Sequence, residues 1–194
     1  MSIQKIVHLS LMPNYRRNEY NGENEEMNTQ ENAQMSTAYT IECIGVDGQV
    51  KWTEDFHNLV TTAGLNDLLT QYFKGSAYTA AFYVGVTGAT PTFAAGDTMS
   101  SHAGWTESSA YSQATRPALT LGTAASGSID NSASKAQFSI NADTTIGGAF
   151  IVTNSTKGGT TGTLYGGGVF TEGNRIVKDG DTINVQATLT AASA

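Results

Sequence analysis

The sequence predicts an all-β fold, a sandwich or jelly roll with one short α-helix and an extended N-terminal arm. Three observations point there. Apolar and polar residues alternate with period two in many short runs separated by turn clusters, and helix-alternating βαβ units are absent. Gly, Ala, Ser and Thr supply 87 of the 194 residues, while charged residues supply 14%, against a usual ~25%. A single stretch, Leu59 to Lys74, has helical spacing. This composition excludes a coiled coil, a basic nucleic-acid binder and a charge-rich disordered tail.

The N-terminal segment comes first and differs from the rest. Asn18 to Gln34 holds five Glu and five Asn with almost no apolar side chain, too little to offset the entropy of ordering. Residues 1–36 are therefore expected as an extended or disordered arm, and 37–194 as the β domain. Thr37–Ile44 and Gln49–Phe56 alternate around Val46-Asp47-Gly48, a strong hairpin signal. The helix follows, with Leu65, Leu68, Leu69, Tyr72 and Phe73 at helical spacing, Thr61 or Thr62 as N-cap and Gly75 as stop. Such a helix in a β chain plugs the open end or flank of a sandwich. Further strands are expected at Thr79–Val86, Arg116–Leu121, Lys135–Ile140, Thr145–Thr153, Gly162–Phe170, Arg175–Lys178 and Thr182–Thr190, with a long loop from Gly88 to Gly104.

The net charge of −7 is uneven: residues 1–58 carry −5 and the remainder −2. A negative body is repelled by phosphate backbones, so nucleic acid is not an expected partner. No apolar run approaches the ~20 residues of a membrane span, and nothing near Met1 resembles a secretion signal. A membrane partner is thus not expected, and synthesis is assigned to the cytoplasm. The single cysteine, Cys43, excludes an intrachain disulfide and a CxxC knuckle, and is read as a core residue.

Chemistry-bearing motifs are sparse. His8, His57 and His102 form no HxH or HxxxH pair, no GxSxG elbow occurs, and the Asp-Gly turns lack calcium-loop spacing. Asp97, His102 and Glu107 crowd one loop as a conceivable acid, base and orienter. Turn chemistry is the stronger reading, with Asp97 accepting from backbone N–H groups and Glu107 pairing with Arg116. Gly147-Gly148 and Gly166-Gly167-Gly168 lie in strand patterns and mark a bulge or a close backbone approach, not a dinucleotide loop. Trp52 is expected in the core. Trp105, with Tyr111 nearby, is expected in the core or as an interface anchor, ahead of a sugar-stacking platform. No enzyme activity, cofactor or metal is expected.

The order Asn58-Leu59-Val60-Thr61-Thr62-Ala63-Gly64-Leu65, Tyr83-Val84-Gly85-Val86 and Asp97-Thr98-Met99-Ser100-Ser101-His102-Ala103-Gly104-Trp105-Thr106-Glu107, then Tyr111 and Arg116, resembles the decoration (cement) proteins of tailed bacteriophages. Asn131-Ser132-Ala133, Phe138, Ile146-Gly147-Gly148-Ala149-Phe150 and Gly180-Asp181-Thr182 continue the likeness, which spans roughly residues 37 to 190. The resemblance implies a virion protein with a jelly-roll-like β-sandwich, clamped on the outer capsid surface and bridging neighbouring major capsid subunits. Its partners would be the major capsid protein and itself, as a homo-dimer or homo-trimer. Trp105 and Tyr111 would serve as anchors, Asp97, His102, Glu107 and Arg116 would organise their loop, and Tyr15, Arg16 and Arg17 would provide a second contact. The alternative is a head- or tail-fibre module that binds host glycans.

Overall fold

A computed structural model describes residues 33–74 and 80–193. Tyr15, Arg16 and Arg17, the acidic stretch up to Asn32 and the helix stop expected at Gly75 lie outside the described residues. The chain is mostly β, with antiparallel sheets and one α-helix among the described residues. The first elements are β1 (Ala33–Ile44), β2 (Val50–His57), β3 (Leu59–Val60), α1 (Thr62–Lys74) and β4 (Tyr83–Thr87). The rest are β5 (Ser128–Asp130), β6 (Ala136–Ser139), β7 (Thr144–Ile146), β8 (Gly148–Val152), β9 (Leu164–Val169), β10 (Arg175–Val177) and β11 (Thr182–Ser193).

The first sheet has the order β2-β1-β11, with β5 and β6 both on the far edge of β11. β1 and β2 form the expected hairpin. Gly48 adopts φ +76°, a conformation that strongly favours glycine, and Asp47 Oδ1 accepts from the Gln49 N–H at 3.0 Å. Period-two alternation sends Tyr39, Ile41 and Cys43 of β1, Trp52 and Phe56 of β2, and Ile183, Val185 and Ala187 of β11 inward. β1 starts at Ala33, ahead of the expected Thr37, because β11 pairs it from Ala33↔Ser193 to Ile44↔Thr182.

The second sheet has the order β3-β9-β8-β4, and a separate ribbon pairs β10 with β7. Val84, Val86, Ala149, Ile151 and Tyr165 from this sheet share one core with the inward residues of the first sheet. Every residue of β8 is buried, so this strand is covered on both faces.

Four expectations need correction. The helix begins at Thr62 and not at Leu59, because Leu59 and Val60 pair with Gly167 and Gly166 as β3. Thr61 is the cap: its Oγ1 accepts from the Gly64 N–H at 3.0 Å. Arg116–Leu121 is not a strand, since Pro117 has no N–H to continue a ladder. The segment still touches β4, with the Pro117 carbonyl accepting from Val84 N–H and Leu119 N–H donating to the Phe82 carbonyl. Thr145–Thr153 divides at Gly147 into β7 and β8, and the short β5 lies where the sequence predicts no strand.

Candidate functional site: a loop layer on the second sheet

The site builds from one register row. Leu59, Gly167, Phe150 and Gly85 lie side by side across β3, β9, β8 and β4. A Cβ on Gly85 would sit 2.1 Å from the Phe150 ring, and one on Gly167 would sit 2.1 Å from the Phe93 ring. Bare backbone at these two places therefore lets two aromatic rings lie flat on the sheet. Close approach within this chain is thus the role of Gly167 in the glycine-rich run.

The long loop closes over this paving. Met99, Trp105, Phe150, Val152 and Leu164 form a second buried cluster, with Tyr83 and Phe93 at its edge. Trp105 sits 4.8 Å from Phe150, 5.1 Å from Phe93 and 3.8 Å from the stacked His102 ring, centroid to centroid. Its Nε1 donates to Asp97 Oδ2 at 3.1 Å, and the same oxygen accepts from Ala94 N–H at 3.0 Å. His102 Nδ1 lies 3.1 Å from the Trp105 carbonyl; a carbonyl only accepts, so the proton sits on Nδ1. Trp105 is 5% exposed. It is a packing residue of the loop layer, and the ring offers little surface to a partner.

A second cluster ties the following loop to a distant one. Arg116 and Glu107 form the pair expected from the sequence, bidentate, with Nε to Oε1 at 3.0 Å and an Nη to Oε2 at 2.7 Å. Both side chains are buried. The guanidinium also donates to the carbonyls of Asn154 and Gly159, each at 2.9 Å, and lies 5.4 Å above the Phe150 ring. Glu107 accepts further from the Gly158 N–H at 2.9 Å. Tyr111 is fully buried; its phenol reaches Glu107 and its ring packs under the Lys157 ammonium at 4.3 Å. Burial and then the Glu107 carboxylate push the Tyr111 phenol well above its usual range, although Arg116 opposes them.

The structure therefore brings Asp97, His102 and Trp105 into one cluster and Glu107, Tyr111 and Arg116 into another. Asp97 and His102 each bond to Trp105, while Glu107 bonds to Arg116. Sequence reasoning misses Glu54, which is buried, accepts from Arg175 Nε at 2.6 Å, and holds the turn at Glu172. A signal is present: Glu54 occupies an inward position between Trp52 and Phe56, where an acid requires a partner. Asp181 is missed as well. It accepts from Lys51 at 2.6 Å and from the Cys43 thiol at 3.6 Å. Burial, then the Asp181 charge, pushes that thiol up to about 12, so Cys43 is an unreactive core residue. Among the described residues no group of three or more His, Cys, Asp or Glu is placed to hold a metal ion. No protein-family model matches the chain, and no curated protein matches it.

Proposed function

We propose that this chain is a structural protein of a tailed-bacteriophage virion, a decoration protein of jelly-roll-like β-sandwich form. On this reading it binds the outer capsid surface and bridges neighbouring major capsid subunits. One observation carries the proposal. In the stretch that most resembles decoration proteins, Asp97 to Glu107, each side chain of chemical interest is engaged in holding loops against the second sheet. A clamp needs rigid loops where load enters, and a buried aromatic stack plus a buried bidentate pair supplies that rigidity. The contacts then fall to exposed positions on the pinned loops, such as Thr90 and Thr160. Many copies, each with a modest interface, add up on a repeating lattice.

The glycan-binding alternative would use Trp105 as its platform, and no observation favours that role for a buried ring. The deciding experiment compares particles assembled with and without this chain under heat, chelator and low salt. Complete particles are expected to outlast the deficient ones; equal survival would refute the proposal.

A further inference from the structure

We infer that the recess between α1, the start of β1, β5 and the end of β11 binds a small amphiphilic cation, an amine carried on a compact apolar body. The recess measures about 530 Å³, inside the ~300–1,000 Å³ typical of small-molecule sites. Its walls are chiefly apolar, with Met35, Leu68, Phe82, Ile129 and Leu189 among the side chains that form them. The first sheet supplies one wall because β1 and β11 pair out to Ala33↔Ser193, past the last pairing of β1 with β2 at Ala38. The helix supplies the other. It is seated on β9 at Gly64, where a Cβ would fall 2.4 Å from the Tyr165 carbonyl oxygen.

Gly64, Asp67, Leu68, Gln71 and Tyr72 of α1 line this space, at i, i+3, i+4, i+7 and i+8 of one helical face. A face turned to apolar walls is ordinarily apolar itself, yet its second position is an acid. Asp67 Oδ1 accepts from Gln71 Nε2 at 3.2 Å, and a neutral amide leaves the charge of the carboxylate uncompensated. No Lys, Arg or His is among the described residues that line the recess. The ion pairs among the described residues involve Glu42, Glu54, Glu107, Asp143 and Asp181, and none includes Asp67. One charged group set in an apolar hollow is the arrangement that orients a ligand.

That charge selects among occupants. An apolar carboxylic acid would bring its own negative charge against Asp67 and be repelled. A neutral apolar body would desolvate the carboxylate without offering it a partner. A peptide would bring a backbone N–H and C=O with each residue, which walls of Met, Leu, Ile and Phe side chains do not satisfy. An amine on a ring or short alkyl chain meets both demands: its body fills the hollow and its ammonium group pairs with Asp67. The inference goes beyond the capsid proposal and is measured on the isolated chain, so either can fail alone.

The test titrates the full chain with three probes of nearly one shape, followed by calorimetry and naphthalene fluorescence. They are 2-(1-naphthyl)ethylammonium, the neutral 2-(1-naphthyl)ethanol and the anionic 1-naphthylacetate. The ammonium probe should saturate one site with a Kd of about 1 mM or tighter, as a ligand of about 13 non-hydrogen atoms allows. It should bind about threefold tighter than the alcohol and about tenfold tighter than the acetate. Asp67→Asn should bring the three probes within about twofold of one another, with circular dichroism unchanged. Ala191→Trp, at an exposed position of the recess wall, fills the hollow and should weaken all three at least about tenfold. Ala124→Trp, on another exposed part of the wall, replaces it if that variant does not fold. Lack of saturable binding of the ammonium probe up to about 10 mM overturns the inference. It does so whether the recess is then open or covered by another segment of the chain. Equal affinities for the three probes, or a preference that survives Asp67→Asn, overturn the ligand class. Binding unweakened by the tryptophan variant places the site elsewhere and overturns the inference as well.

Discussion

Replacing Arg116 with Met tests whether the loop layer is held by its buried pair. The substitution keeps an unbranched apolar stem over Phe150 and removes the guanidinium. Glu107 loses two charge-assisted hydrogen bonds, and the carbonyls of Asn154 and Gly159 each lose a donor. Breaking a buried ion pair from one side costs about 3–5 kcal/mol, because the remaining charge is left without its partner. Glu107 keeps the Gly158 N–H and the Tyr111 phenol, which places the expected cost near the lower end, about 3 kcal/mol. For a domain of this size that corresponds to a fall of roughly 6–12 °C in the thermal midpoint. Urea unfolding reads it directly as a lower midpoint with an unchanged slope. Limited proteolysis should cut between residues 153 and 162 sooner, since that loop has lost its anchor. An Arg116→Met/Glu107→Leu double variant removes both charges and should recover much of the loss. The reasoning fails if the single variant costs under about 1 kcal/mol, or if the double variant is less stable than the single.

Two further outcomes follow from the same structure. Gly167→Val should destabilise by about 2 kcal/mol or more, because its side chain must displace the Phe93 ring, while Gly96→Ala, with nothing within 4 Å, should stay within about 0.5 kcal/mol of wild type; equal thermal midpoints for the two would contradict the paving account. Burial works to raise the Asp181 carboxyl, but the hydrogen bond from Lys51, the Lys178 N–H and the Lys51 charge hold it below the usual carboxylate range. Its stabilising effect is therefore present above the unfolded value of ~3.9 and lost as pH falls through the lower folded value. Lys51→Met should accordingly shift acid unfolding to higher pH, with wild type and variant converging once Asp181 is protonated in both. A stability gap that stays constant with pH in denaturant titrations would count against this account.

The hairpin at Asp47-Gly48, the capping Thr61 and the alternation of β11 are legible because each is a local signal. Arg116–Leu121 misleads because its composition suits a strand while Pro117 withholds the donor a ladder needs. The break at Gly147 is not local either: a Cβ there would meet Pro91 and Asn174, residues far away in the chain. β5 is three residues long and has no alternation to detect. At the candidate site, the Arg116–Glu107 pair can be anticipated from two opposite charges nine residues apart. The carbonyls of Asn154 and Gly159, which complete the clasp, carry no sequence signal at all. Trp105 falls in the core, one of the two places its sequence context suggests, but its stacking partners Phe93 and Phe150 come from opposite sides of the loop.

The pairing of β1 with β11 has a consequence for how the domain comes into being. β11 is the central strand of its sheet and also the last of the described strands to leave the ribosome. Until it emerges, the β1–β2 hairpin on one side and β5 and β6 on the other share no neighbour, and the apolar faces of Tyr39, Ile41 and Phe138 have no completed sheet to stand in. Closure is thus a late event that joins the two ends of the described β domain, the slow class of folding step. The partly made chain exposes strand edges throughout elongation, when neighbouring nascent copies can capture them. Mechanically, Ala33 and Ser193 are direct partners, so tension applied at those two points peels the ladder one bond at a time.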